Sequence, residues 1–174
     1  MNLAVTAIGR DRPGIVAGIT GALLEAGGNV DDSQMSILHG HFAVMLIVSV
    51  PDDTVSDELS LRLDEVGREF GLAGVSVSEV TGLERGIGPS HVLTVYGADR
   101  PGIVHEVAEL LAARGVNITD LRTRRTGEGD GSLYTMMMEL VIEGDAPDLE
   151  SDLQSLSSEK QVEVNLTELD TEAL

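Results

Sequence analysis

Asp11-Arg12-Pro13-Gly14-Ile15-Val16 returns, residue for residue, as Asp99-Arg100-Pro101-Gly102-Ile103-Val104. A repeat displaced by about half of a 174-residue chain predicts two copies of one small domain and argues against a single larger fold. Working outward from the hexapeptide, residues 3–32 align with 91–120 without a gap. Thr6/Thr94, Gly9/Gly97, Leu23/Leu111, Gly27/Gly115, Asn29/Asn117 and Asp32/Asp120 are also identical. The identities gather in the loop after the first strand and at the start of the second strand. Core positions need only apolar residues of similar size. Retention of Asp, Pro, Gly and Asn therefore points to backbone geometry or to ligand contact.

The pattern around the first hexapeptide reads as strand, helix, strand, strand, helix, strand. Leu3 to Gly9 is a short apolar strand. Asp11 can cap a helix, and Pro13 suits a first turn, where its missing N–H is not needed. Ile15, Val16, Ile19, Leu23 and Ala26 recur at helical spacing, and Gly27-Gly28 stops the helix. Asn29 to Leu38 and Phe42 to Val50 are strands joined at His39-Gly40-His41. Val55, Leu59, Leu63, Val66 and Phe70 mark one face of a second helix, and Ala73 to Thr81 is the closing strand.

The second copy repeats this order. His91 to Gly97 is a strand and Gly102 to Arg114 a helix with Ile103, Val104, Val107, Leu110 and Leu111 inward. Val116 to Thr126 and Leu133 to Glu143 form a hairpin around Gly127-Glu128-Gly129-Asp130-Gly131. Pro147 to Glu159 is a helix buried through Leu149, Leu153 and Leu156, and Val162 to Leu169 is the last strand. The domains expected are 1–82 and 91–174, with 83–90 as a glycine-punctuated linker. A βαββαβ unit with right-handed crossovers gives an antiparallel four-stranded sheet with two helices on one face, the α+β ferredoxin-like arrangement. Each copy is marginal in size alone, so packing of the halves against each other, even into a continuous eight-stranded sheet, would add buried area.

The bulk composition narrows the function. With 30 acidic against 11 basic residues the formal net charge is -19, which repels phosphate backbones and gives no basic footprint for direct nucleic-acid binding. The same acidity also serves solubility alone. There is no cysteine, so thiolate catalysis and disulfides are excluded. No apolar run approaches the ~18–20 residues of a membrane span, and Met1-Asn2-Leu3-Ala4-Val5 does not open a signal peptide. The expectation is a cytoplasmic protein without membrane contact.

The loop between strand one and helix one lies where helix N–H groups are unpaired and the dipole is positive. Gly14 and Gly102 have no Cβ, so a ligand or another backbone can come close. Asn29 and Asn117 start the neighbouring strand of the same crossover, and their amides donate and accept together. N–H groups for a carboxylate with Asp or Asn groups for an ammonium suit a free amino acid. The competing reading is structural: Asp11 and Asp99 cap, Pro13 and Pro101 start helices, and the asparagines make turns.

These residues carry a family resemblance. Asp-Arg-Pro-Gly-Ile-Val followed by Gly-Gly-Asn-Val or Gly-Val-Asn-Ile resembles the ACT domain, a βαββαβ amino-acid-sensing module. In tandem, with Gly-Asn-Val-Asp-Asp-Ser in the first copy, the chain looks most like the glycine cleavage system transcriptional repressor family. The resemblance implies a non-catalytic, homodimeric regulator in glycine or one-carbon metabolism. It would bind an amino acid such as glycine or serine and act through a protein partner, without cofactor or metal. Carried over by motif, the ligand contacts would be Asp11, Gly14, Ile15 and Asn29, with Asp99, Gly102, Ile103 and Asn117. The alternative is an interaction module that regulates a metabolic enzyme, with or without a working ligand site. The first copy also resembles the unit at the N-terminus of formyltetrahydrofolate deformylase.

Other features carry less. His39 and His41 flank Gly40 and read either as solvated turn residues or as a converging metal pair. Arg122, Arg124 and Arg125 form a basic cluster on an expected edge strand, for edge protection or for docking an acidic group. Met136-Met137-Met138 lies in a strand pattern and reads as adaptable packing. No nucleophile elbow, calcium loop or phosphate loop occurs.

Overall fold

A computed structural model describes residues 1–83, 87–127, 132–144, 146 and 148–169. The chain divides into two compact units, Met1–Glu84 and Arg85–Leu174. The hairpin residues Glu128 to Gly131, linker positions 84–86 and Pro147 lie outside the described residues.

The first unit runs β1 (Asn2–Arg10), α1 (Ile15–Glu25), β2 (Asn29–Leu38), β3 (His41–Ser49), α2 (Ser56–Phe70) and β4 (Leu72–Val80). Its sheet has the order β2-β3-β1-β4, with every pair antiparallel. The second runs β5 (His91–Ala98), α3 (Ile103–Ala113), β6 (Asn117–Thr126), β7 (Leu133–Val141), α4 (Leu149–Lys160) and β8 (Val162–Glu168). Its order, β6-β7-β5-β8, is the same with the same sense. Both units are therefore ferredoxin-like βαββαβ folds.

Alternation along the central strands separates two faces. Leu3, Val5 and Ala7 of β1 and Phe42, Val44, Leu46 and Val48 of β3 point to the helices and are buried with Ile15, Ile19 and Leu23 of α1 and Leu59 and Leu63 of α2. In the second unit Leu93 and Val95, with Met136, Met138 and Leu140, pack with Ile103, Val107, Leu111, Leu149, Leu153 and Leu156. The methionine triplet thus sends its outer two members inward, while Met137 is half-buried on the helix-free face.

Two residues of the expected helical stripes lie elsewhere. Val16 is 45 % exposed because it falls off the line through Ile15, Ile19 and Leu23. Val55 is 52 % exposed because its extended backbone (φ −83°, ψ 108°) precedes α2 as the N-cap.

Repeated glycines account for much of the repeat. Gly27 and Gly115 end α1 and α3 in the left-handed conformation (φ 73° and 70°). There the next N–H closes back five residues, Gly28 to the Leu23 carbonyl at 2.8 Å and Val116 to Leu111 at 3.0 Å. These glycines are explained by the backbone alone.

Candidate ligand loops

β1 ends at Arg10, and the next N–H, on Asp11, donates to the Gly40 carbonyl at 3.0 Å. This pins the β1–α1 loop to the β2–β3 turn, where His39 and Gly40 both have positive φ (50° and 77°). Asp99 N–H does the same to the Ser132 carbonyl at 3.3 Å. The chain then turns through Pro13 or Pro101 into the N-cap glycine. Gly14 has φ 97°, ψ −13°, and Gly102 has φ 94°, ψ −11°. Their carbonyls accept the Gly18 N–H at 2.8 Å and the Glu106 N–H at 3.0 Å, starting the helices.

Neither helix carries a side-chain cap bond. The reading of Asp11 and Asp99 as caps is therefore corrected. Three residues separate each aspartate from the first helical residue, and glycine holds the N-cap position. Among the described residues, the first-turn N–H groups, which have no partner inside a helix, have no capping side-chain acceptor. Asp11 is exposed. The Asp99 carboxylate instead receives Arg125 Nη1 at 3.3 Å. Ile15 and Ile103 are buried, so their side chains anchor the loops in the cores and only their backbones remain for a ligand.

The asparagines occupy a different place. Asn29 pairs in register with Ser49, and Ser49 pairs with Asn2, so Asn29 stands level with the beginning of β1. Asp11 follows the other end of β1. The length of that strand, about 25 Å, separates them. β3 also lies between β1 and β2, so β2 is not the neighbour of β1 that the crossover suggested. The second unit repeats this arrangement with Asn117 level with Val141. Each unit thus brings together Asp11, Gly14 and Ile15, or Asp99, Gly102 and Ile103, and holds its asparagine at the opposite end.

Asn29 belongs to a small polar group. Its Nδ2 donates to Asp31 Oδ1 at 2.8 Å, and Ser49 Oγ donates to the same oxygen at 3.1 Å. Just there the register slips between Val30 and Asp32, leaving Asp31 as a bulge. The slip recurs between Ile118 and Asp120, so the bulge is duplicated along with Asn29/Asn117 and Asp32/Asp120. A bulge re-aims the side chains of an edge strand, and sequence periodicity gives no sign of it.

Of the basic cluster, Arg122 pairs with Asp120 at 2.9 Å and Arg125 with Asp99, both from edge strand β6. Among the described residues no three His, Cys, Asp or Glu side chains group to hold a metal. No described helix is long and apolar enough to cross a membrane. A groove of about 570 Å³ runs between α1 and α2 and is lined by none of the eight residues singled out from the sequence.

Comparison with known proteins agrees with the fold. Residues 2–76 and 91–160 each match a family model for the ACT domain. The chain belongs to the ACT-domain family, with two such domains in tandem. More particularly, it is related to the glycine cleavage system transcriptional repressor of Escherichia coli, 30 % identical over 123 residues, which cover 70 % of this chain and 64 % of that protein. The match therefore spans a little less than two thirds of the repressor's length. A UPF0237 protein of Methanopyrus kandleri is 41 % identical over 69 residues, 39 % of this chain and 77 % of that one. The crystal structure of an unknown protein from Galdieria sulphuraria superposes over 97 % of this chain and 98 % of its own, with TM-score 0.78 and 26 % identity.

Proposed function

We propose that the chain is a non-catalytic amino-acid sensor that controls a protein partner in glycine or one-carbon metabolism. The observation that carries this reading is the duplicated Asp-Arg-Pro-Gly loop, which ends on a left-handed glycine at an uncapped helix start in both units. Such a loop offers N–H groups and a positive dipole end to a carboxylate, with an aspartate at hand for an ammonium. The relation to a transcriptional repressor of glycine cleavage supports glycine, or a close analogue such as serine, as the signal. The net charge of -19 favours action through a protein partner over direct contact with nucleic acid.

A site that also uses Asn29 or Asn117 has to draw on more than one unit, because each unit separates its loop from its asparagine. We propose that a second copy of the chain completes such a site in a homodimer. A ligand there shifts the population of states by its differential affinity for them.

The test is thermal unfolding with each of the twenty amino acids. Ligand at about 100 times its dissociation constant adds about 2.7 kcal/mol, a visible shift. A selective shift with glycine or serine is expected. No shift with any amino acid overturns the sensor reading and favours an interaction module. Affinity capture of a metabolic enzyme rather than a transcription factor would point to the same alternative.

A further inference from the structure

The two loops share a backbone and differ in what surrounds it. Leu72 abuts Gly9 and Val162 abuts Gly97, each within 2.8 Å of where a glycine Cβ would stand, which makes Phe70 the counterpart of Lys160. The offset of the repeat makes Gly18 the counterpart of Glu106, and Ile37 that of Arg125.

In the first unit the Phe70 ring lies against Gly14 of the loop and Gly18 of α1: a Cβ on either would fall 3.1 Å or 2.7 Å from its carbons. The first turn of α1 holds no acidic residue. Asp11 and Arg12 are exposed, and their side chains make no hydrogen bond or ion pair with the described residues.

In the second unit the same positions are cross-linked. Lys160 Nζ meets Glu106 Oε1 at 2.7 Å, and that oxygen lies 3.7 Å from where a Cβ on Gly102 would stand. Arg125 holds Asp99, and Arg100 Nη2 donates to Gln161 Oε1 at 3.0 Å. Loop, α3, β6 and the end of α4 are thus tied together.

We infer that the copies have divided their work: the first loop responds to an amino-acid ligand, and the second is held shut by its own side chains. The ligand half of this inference rests on the sensor reading above; the locking half does not. A ligand carboxylate approaching the start of α3 finds the first turn already taken by the Glu106 carboxylate, which Lys160 holds in place beside Gly102. A ligand ammonium finds Asp99 already neutralised by Arg125. At α1 neither charged obstacle exists, since the neighbour of Gly14 is the uncharged Phe70 ring and Ile37 cannot neutralise Asp11.

Amide hydrogen exchange on the full chain tests the locking without ligand. Asp11 and Asp99 make equivalent backbone bonds, as do Gly18 and Glu106. After correction for intrinsic rates, the second member of each pair should exchange about tenfold more slowly, the combined effect of a few partly exposed ion pairs. Equal rates overturn the inference. Arg125→Ile alone should speed the Asp99 amide, and adding Lys160→Phe should bring it near Asp11. Glycine, then L-serine, is added as probe. New protection should fall on residues 11–18 and not on 99–106, and Asp11→Asn should abolish it while Asp99→Asn leaves it. Protection in both loops, or in the second alone, overturns the division of work. If neither probe protects or stabilises the chain, the sensor reading fails, and the ligand-free comparison still decides the locking.

Discussion

Gly9 and Leu72 stand so close that a Cβ on the glycine would lie 2.8 Å from the leucine Cα. The register of β1 against β4 slips between Ile8 and Gly9 to allow the approach. Backbone cannot retreat as a flexible side-chain tip can, so Gly9→Ala should destabilise the first unit by about 1–3 kcal/mol through overpacking. Gly97→Ala meets Val162 Cα at the longer distance of 3.2 Å and should cost less. Chemical denaturation of the two variants, read by probes in each unit, checks the order.

Gly14→Ala and Gly102→Ala separate backbone strain from crowding. Both residues need a positive φ, which costs an L-residue roughly 1–2 kcal/mol. Only Gly14 also faces an aromatic ring, at 3.1 Å. Gly14→Ala should therefore lower the melting temperature further than Gly102→Ala. Phe70→Leu, which shortens the side chain, should recover part of that difference in the double variant.

Gln161 takes the place at the end of α4 that Gly71 takes at the end of α2, and both are left-handed (φ 53° and 65°). Gln161→Gly removes the side-chain penalty and should stabilise the second unit by about 1 kcal/mol, less whatever the exposed bond from Arg100 contributes. Arg100→Ala measured alongside gives that smaller part.

Met136, Met137 and Met138 should respond in alternation. Met136 and Met138 are fully buried, so truncation to alanine should cost about 2–5 kcal/mol each. Met137→Ala, on the helix-free face, should stay below either of them. Urea midpoints at unchanged slope would establish the pattern.

Asn29→Ala loses one exposed bond to Asp31, which Ser49 still holds. Stability should change by no more than about 0.5 kcal/mol. Under the proposed function, amino-acid affinity falls all the same, and calorimetry against the parent protein measures it. Unchanged affinity for both Asn29→Ala and Asn117→Ala would remove the asparagines from the site.

Much of this fold is legible in the chain because its signals are local. Ile15, Ile19 and Leu23 mark the inward face of α1 by spacing alone, and Gly27 marks its end by the conformation only glycine adopts without strain. The repeat supplied the order of elements twice. What spacing could not show was set by distant partners or by backbone angles. An aspartate two residues before a proline looks like a cap, and nothing in its neighbours reveals that Gly14 turns left-handed and takes the position first. Asn29 is near Asp11 along the chain, yet the insertion of β3 and the direction of β2 carry it to the other end of the sheet. Glu106 and Lys160 lie 54 residues apart in sequence, and only the fold makes them a pair.

Every strand of the first sheet comes from residues up to Val80. This unit can complete its pairing during synthesis, and the second copy takes roughly 5–20 s more at about 5–20 residues per second. β2 is an edge of that sheet, with Met35, Ile37 and Leu38 47–67 % exposed. A nascent edge of that kind recruits strands from neighbouring ribosomes unless something interrupts it. Asp31 and Asp32, set on a bulge at its beginning, put negative charge on that edge, the kind of placement that discourages pairing with a second chain.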